Sequence, residues 1–135
     1  MRAVEARLRT EHSLSANDFE TLLHLSRDEN GALRRIDLAE RLRLTPSGVT
    51  RLLDGLEEAG LTGRRDCPAD ARVTYSVITE SGREMLQRAS CTHAAVCEEL
   101  IGSRLSPAEL DELSALLGRL PGGEDCDAGA CTGPS

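Results

Sequence analysis

The sequence predicts a mainly α-helical chain carrying one small β-hairpin, an α+β fold class. Three observations predict it. The stretch from Thr45 to Gly60 has both helix ends and a helical apolar stripe written into it. Two short strand-like runs, 61–65 and 72–78, follow at once around a turn-rich segment. Leucines at helical spacing then continue to Leu120.

At 135 residues the chain is sized for one domain. Such a domain buries roughly two-thirds of the surface its unfolded form exposes. Phe19 and Tyr75 are the aromatics, so the core must be Leu, with Val, Ile and Ala. The net charge of -7 argues against indiscriminate binding to nucleic acid. Its distribution matters more. Every basic residue is Arg, and from Leu33 to Tyr75 eight arginines stand against seven acids. The acidity therefore lies in the flanks, and the middle is where a basic face can form. The first ten residues are polar and unlike a signal peptide, and no apolar run reaches membrane-spanning length. A cytoplasmic location with no membrane partner is the expectation. Five cysteines then read as thiols rather than a disulfide framework.

Taken in order, residues 1–11 predict a short helix that needs a packing partner, being too short to stand alone. Ser15 and Asp18 form a capping-box pair opening a second helix. Phe19, Leu22, Leu23 and Leu25 give it an apolar face, with His24 read as a partly buried core histidine. Ala32–Arg35 pairs as a very short strand, and Ile36–Leu42 is a compact helix. A tight turn at Arg43-Leu44 leads into Thr45, whose hydroxyl can cap a free N–H of the next helix. Pro46 suits its first position, and Gly60 suits the left-handed residue past its end. Val49, Leu52, Leu53 and Leu56 face inward. Ser47, Thr50, Arg51 and Asp54 face outward, a small polar surface with one Arg that suits a DNA major groove. Two short helices joined by a tight turn make a helix-turn-helix. The strands 61–65 and 72–78, with turn chemistry at Asp66–Ala71, complete a winged helix. A helix from Glu80 towards Ser103 follows. Ser106, Pro107 and Glu109 then start a last helix, which carries Leu110, Leu113, Leu116, Leu117 and Leu120. The terminal helices, about 1–12 and 80–120, hold more apolar surface than a small winged helix at about 32–79 can cover. They are expected to pair two copies into a homodimer; packing onto the chain's own first helices is the alternative. Residues 121–135 have no periodicity and are expected to be disordered.

Several motifs in this order resemble the MarR family of bacterial transcription regulators. They are Leu38-Ala-Glu-Arg-Leu-Arg-Leu-Thr-Pro-Ser-Gly-Val-Thr-Arg-Leu-Leu-Asp-Gly-Leu-Glu-Glu-Ala-Gly-Leu61, then the wing Arg64-Arg-Asp-Cys-Pro-Ala-Asp-Ala-Arg72, then Ile78-Thr-Glu-Ser-Gly82. The resemblance runs from about Leu14 to Leu120. It implies a winged helix-turn-helix flanked by dimerisation helices, two copies of which straddle a pseudo-palindromic operator. It further implies a repressor released by a small-molecule effector held between the dimer helices and the winged helix. The residues matching Pro46, Ser47, Gly48, Thr50 and Arg51 approach the major groove, and Arg72 enters the minor groove from the wing tip. Asp70 braces neighbouring arginines, and Arg64 and Arg65 contact phosphates. A narrow minor groove concentrates negative potential and attracts Arg, which supports the wing assignment physically. Three positions depart from the family's pattern: Arg43 stands where the tight turn usually carries Gly, Gly48 where a hydroxyl residue is common, and Gly55 where the family is often basic.

His12, His24, Phe19 and His93 are candidates to line an effector cleft. Cys67, beside Arg64, Arg65 and Arg72, is the candidate for a thiol redox sensor, with Cys91, Cys97, Cys126 and Cys131 as further thiols. No ligand pair is expected at i, i+4 or C-x-x-C spacing, and neither a metal site using His93, Cys97 or His12 nor a cofactor is expected. A winged-helix module that binds protein rather than DNA is the alternative from another class. No nucleophile-base pair or phosphate loop points to an enzyme.

Overall fold

The computed structural model describes residues 2–120. Over that span the chain forms α1 (Arg2–His12), α2 (Ala16–Arg27), β1 (Ala32–Arg34), α3 (Arg35–Leu42), α4 (Pro46–Glu58), β2 (Thr62–Asp66), β3 (Thr74–Ile78), α5 (Glu80–Cys97) and α6 (Pro107–Leu117). The sheet has the order β1-β3-β2, and both pairings are antiparallel. The mainly helical α+β winged-helix expectation holds, and Ala32 does open a short strand.

The helix starts follow from their caps. Ser15 and Asp18 cap α2 reciprocally: Asp18 N–H donates to Ser15 Oγ, and the Ser15 N–H donates to the Asp18 carboxylate at 2.8 Å. At α4 the Thr45 hydroxyl accepts the Gly48 N–H at 3.1 Å, with Pro46 next to it. Ser106 and Glu109 repeat the reciprocal box at α6. Helix α3 ends on Arg43, held left-handed at φ 53°, ψ 39°, with its N–H directed to the Ala39 and Glu40 carbonyls. A non-glycine residue there costs about 1 kcal/mol or more. The turn adopts the geometry that usually calls for Gly, and Arg43 bears the strain.

Leu8, Leu22, Leu25, Leu38, Val49 and Leu53 are fully buried and join four helices into one core. Leu52 is only partly buried. At the end of α4 three elements converge. Gly60 is left-handed at φ +74°, and the Leu61 N–H donates back to the Leu56 carbonyl at 2.9 Å. The Leu61 carbonyl in turn accepts the Thr79 N–H at 3.1 Å. The Thr79 hydroxyl donates to the Gly60 carbonyl at 2.7 Å and accepts the Gly82 N–H at 3.0 Å. A Cβ on Gly82 would stand 2.1 Å from the Leu61 oxygen. The Thr-Glu-Ser-Gly motif therefore lets the first turn of α5 sit directly on the backbone joining α4 to β2.

The C-terminal part differs from the expectation. The long helix stops at Cys97, and a π-helical turn spans Glu98–Gly102; Gly102, a poor helix former, closes it. Helix α6 buries none of its residues within the single chain. Leu116 and Leu117 are about half exposed, at 52% and 53%, and Leu100, Ile101, Leu113 and Leu120 are exposed with them. The chain's own helices thus leave this apolar face open. The segment 121–135, read above as disordered, lies outside the described residues.

Two substitutions test the local geometry. Gly82→Ala should lower unfolding stability by about 1–3 kcal/mol, since the added methyl meets backbone that cannot turn away. Arg43→Gly should raise it by about 1 kcal/mol by removing the left-handed strain. Urea titrations followed by circular dichroism read both, and an unchanged midpoint for Gly82→Ala would contradict the close approach.

Candidate nucleic-acid interface

The N-terminal turn of α4 points away from the core. Pro46, Ser47, Thr50 and Arg51 are exposed, and Gly48 is half-buried. The Thr50 hydroxyl donates to the Pro46 carbonyl at 3.0 Å, and the Ser47 and Thr45 hydroxyls lie 3.3 Å apart. Polar side chains are thereby fixed on a rigid helix, with Arg51 extending beyond them. Gly48 has a structural reason: a Cβ there would press within 3.1 Å of the capping Thr45 oxygen. Gly55 has no such neighbour; a Cβ there would meet open space.

The wing is the β2–β3 hairpin. Its register pairs Arg64 with Ser76, Arg65 with Tyr75 and Asp66 with Thr74. Beyond Asp66 the ladder gives way to a bend held by Cys67 N–H on the Val73 carbonyl and Val73 N–H on the Asp70 carbonyl. Pro68, Ala69, Asp70, Ala71 and Arg72 are exposed at the tip. Asp70 Oδ1 accepts the backbone N–H of Arg72 at 3.0 Å. In the free chain Asp70 thus holds a backbone N–H, where the expectation was a neighbouring guanidinium. Its carboxylate is one residue type that closes a turn on the backbone two positions on, and it leaves the Arg72 side chain free to extend.

Arg64 is also placed differently from the expectation of a free phosphate contact. Its Nε donates to both carboxylate oxygens of Glu57 at 2.8 Å, and its NH2 group donates to Asp54 at 2.9 Å. Hydrogen bonding to Glu57, then that residue's charge, pushes the already high Arg64 pKa further up. Arg64 and Asp54 are about half exposed, where a salt bridge adds little stability, while Glu57 is mostly covered. Their geometric consequence is larger, since one guanidinium spans two acids of α4 and ties the wing to the recognition helix. Arg65, on the other face of β2, has its guanidinium carbon 6.0 Å from the Tyr75 ring centre. Arg51 and Arg72, like Arg43 and Arg65, enter no ion pair among the described residues, so they are uncommitted cations of this surface. Sequence reading missed Asp54 and Glu57 as a pair. Two acids three positions apart on the helix preceding an Arg-Arg strand were the signal.

Elsewhere the candidates are occupied with one another. Phe19 stacks on His93 with ring centres 5.4 Å apart, and His12 Nε2 is 2.7 Å from the Thr92 hydroxyl. Both contacts join the first two helices to α5. His24 is partly buried, and desolvation followed by the charge of Arg41 lowers its pKa. His93 and Cys97 stand four apart on α5 with the sulfur 3.9 Å from the ring nitrogens, a spacing the sequence reading passed over. Among the described residues no group of three metal-ligating side chains gathers. Cys67, Cys91 and Cys97 are half-buried free thiols. A concavity of about 480 Å³ lies beside the wing, lined by Asn30, Ala32, Arg65, Asp66, Cys67, Pro68 and Tyr75. It is distinct from the cleft between dimer helices and winged helix that the resemblance implied, and His12, His24, Phe19 and His93 do not line it.

Comparison with known proteins agrees with this geometry. A model described as the MarR family matches residues 14–74, from the loop before α2 into β3. The HTH-type transcriptional regulator MhqR of Bacillus subtilis is 32% identical over 109 residues, covering 81% of this chain and 73% of MhqR. The chain belongs to the MarR family. Its relatives are transcriptional regulators rather than enzymes. AbsC, a MarR family regulator from Streptomyces coelicolor, superposes with a TM-score of 0.71 at 30% identity, covering 86% of this chain and 78% of AbsC. Sco3205 from the same organism, solved in complex with DNA, has a TM-score of 0.73 at 24% identity and covers 85% of this chain and 72% of its own. The structural matches extend the MarR likeness beyond the wing into the terminal helices. Among the described residues no helix is long and apolar enough to cross a membrane.

The backbone role found for Asp70 has its own test. Asp70→Ala should speed amide hydrogen exchange at Arg72 about two- to tenfold, the scale of one lost net hydrogen bond, and leave the α4 amides unchanged. Unaltered exchange at Arg72 would return Asp70 to a side-chain role.

Proposed function

We propose that the protein is a sequence-specific transcriptional repressor that binds a pseudo-palindromic DNA operator as a homodimer in the cytoplasm. The observation that carries this reading is the pairing of two uncommitted arginines on rigid supports. Arg51 stands on the exposed side of a capped helix, and Arg72 on a turn closed by Asp70. A capped helix with small polar residues fits a major groove, where Arg can take guanine O6 and N7 together. A hairpin tip with one extended Arg fits a narrow minor groove. Pro46, Ser47, Gly48 and Thr50 provide the close-approaching surface around Arg51. Arg64, held by two acids in the free chain, and Arg65, over the Tyr75 ring, reach phosphates at the groove edge.

The open apolar face supports the dimer. Leu100 and Ile101 in the π-helical turn, and Leu113, Leu116, Leu117 and Leu120 in and just after α6, are exposed, and so many apolar side chains are costly to leave in water. A second copy supplies the same patch, so a two-fold contact covers both at once. Two copies then offer two reading heads, as half-sites about one helical turn apart require. A dimer seated on a promoter excludes polymerase, which makes repression the direct consequence. Release by a small-molecule effector needs only a ligand that favours another spacing of the two heads.

Selection of bound fragments from the source genome returns the operator, and titrations on it test the reading. Affinity should fall with salt at a log–log slope of about -0.9 per neutralised phosphate. Arg72→Ala should weaken binding about tenfold or more, the scale of a lost charge-assisted hydrogen bond, at an unchanged melting temperature. Arg51→Ala should cost about 1–3 kcal/mol and relax preference at one base pair of each half-site. A protein that enriches no sequence and shows a flat salt slope would instead be a winged-helix protein-interaction module. For the dimer, Leu116→Glu with Leu117→Glu should halve the mass measured in solution; a wild-type monomer at working concentrations would overturn the two-headed reading.

A further inference from the structure

Arg35 carries a feature that neither the fold nor the proposed contacts use. It is the first residue of α3, and its Nε and one terminal nitrogen are buried without a hydrogen-bond partner. The Arg35 side chain is 31% exposed, but buried donors are nearly always satisfied, and two nitrogens left without an acceptor are costly. The nearest carboxylate is Glu57, whose Oε1 lies 4.0 Å from the Arg35 terminal nitrogen. That is beyond hydrogen-bond reach, because Glu57 has turned both oxygens to Arg64 at 2.8 Å.

Glu57 therefore stands between two arginines and bonds only one. Arg64 is half exposed and Glu57 is mostly covered, with side-chain exposures of 50% and 22%. Arg64 can leave towards solvent, whereas Glu57 cannot follow it. A departing Arg64 would ordinarily strand a poorly solvated carboxylate. Here Arg35 is already aimed at it, with donors that gain a bond by closing the gap.

We propose that Glu57 is handed from Arg64 to Arg35 when the protein binds DNA, which frees Arg64 for a backbone phosphate. Arg35 is thus a positioning residue: it never touches the duplex, and it removes the penalty for releasing Arg64. Arg64 trades Glu57 and Asp54 for a phosphate, Glu57 trades one guanidinium for another, and the half-exposed Asp54 is left to water. The proposal rests on the DNA-binding reading above and adds a requirement that reading does not contain.

The salt dependence of binding tests it, because each phosphate neutralised adds about 0.9 to the slope. The full chain is titrated onto the selected operator duplex at several salt concentrations, with circular dichroism melts confirming that each variant folds. Arg64→Ala should flatten the dimer's slope by about 1.8, one phosphate per protomer. Arg35→Gln should flatten it by a similar amount, since Arg64 then stays on Glu57, and should add nothing to Arg64→Ala. Combining Arg35→Gln with Glu57→Gln should restore the wild-type slope, as the covered carboxylate is gone and Asp54, half exposed, is left to water. Arg35→Lys, which keeps the charge, should retain that slope. A wild-type slope in Arg35→Gln overturns the exchange and leaves the DNA reading intact. A slope still flattened in the double variant also overturns it, and makes Arg35 a direct phosphate contact. Wild-type protein that binds no duplex fails earlier, at the DNA reading itself.

Discussion

The carbonyl of Leu61 is the point on which the rest of the molecule turns. It lies where the recognition helix ends and the wing begins, and it accepts the Thr79 N–H where the wing ends and the long helix starts. The missing side chain of Gly82 brings α5 down onto it. Three elements with different tasks are thereby joined through backbone, which does not rotate or stretch as side chains do. A reorientation of α5, wherever it originates, must carry both α4 and the wing with it. The helix and the wing move as one body, and α5 is its handle.

A second tie acts from the other side. Arg64 links β2 to Asp54 and Glu57 on α4 by charge-assisted hydrogen bonds. Unlike the Leu61 junction, it is exposed and reversible. One connection is built of backbone and close approach, the other of charges in water. The first fixes the orientation of wing against helix. The second can respond to a new anion without altering that orientation. A duplex offers such anions along both strands, and Glu57 then needs another cation, which Arg35 on the neighbouring helix supplies.

The legible part of this molecule was local. Thr45, Pro46 and Gly60 marked α4 because caps, first-turn proline and the left-handed glycine act within a few residues of chain. Ser15 with Asp18, and Ser106 with Glu109, were readable for the same reason. The strand-like run 72–78 placed the returning strand, though β3 starts at Thr74 and buries Ser76 and Ile78. Surplus leucine at the C-terminus was visible as a composition that one small core could not absorb, and the open face of α6 matches it. What stayed hidden depended on side-chain direction across elements. Asp70 was expected to hold a guanidinium and holds a backbone N–H instead, because its own turn offers the nearer donor. Arg64 was assigned to phosphate since its partners on α4 are seven and ten positions away, outside any helical or strand period. The contact of His93 with Cys97 does have helical spacing and was simply overlooked. Arg35, at the end of a strand pattern, carried no sign that two of its nitrogens would be sealed.

The central claim is that two identical heads, each a helix and a hairpin locked together, meet the duplex in phase. Hydroxyl-radical footprinting of the selected operator measures this most directly. The account predicts two-fold symmetric protection on one face of the DNA, with two major-groove patches centred about ten base pairs apart and a protected minor groove on the outer side of each. A single patch, or paired major-groove patches with the flanking minor grooves fully open to cleavage, would contradict it.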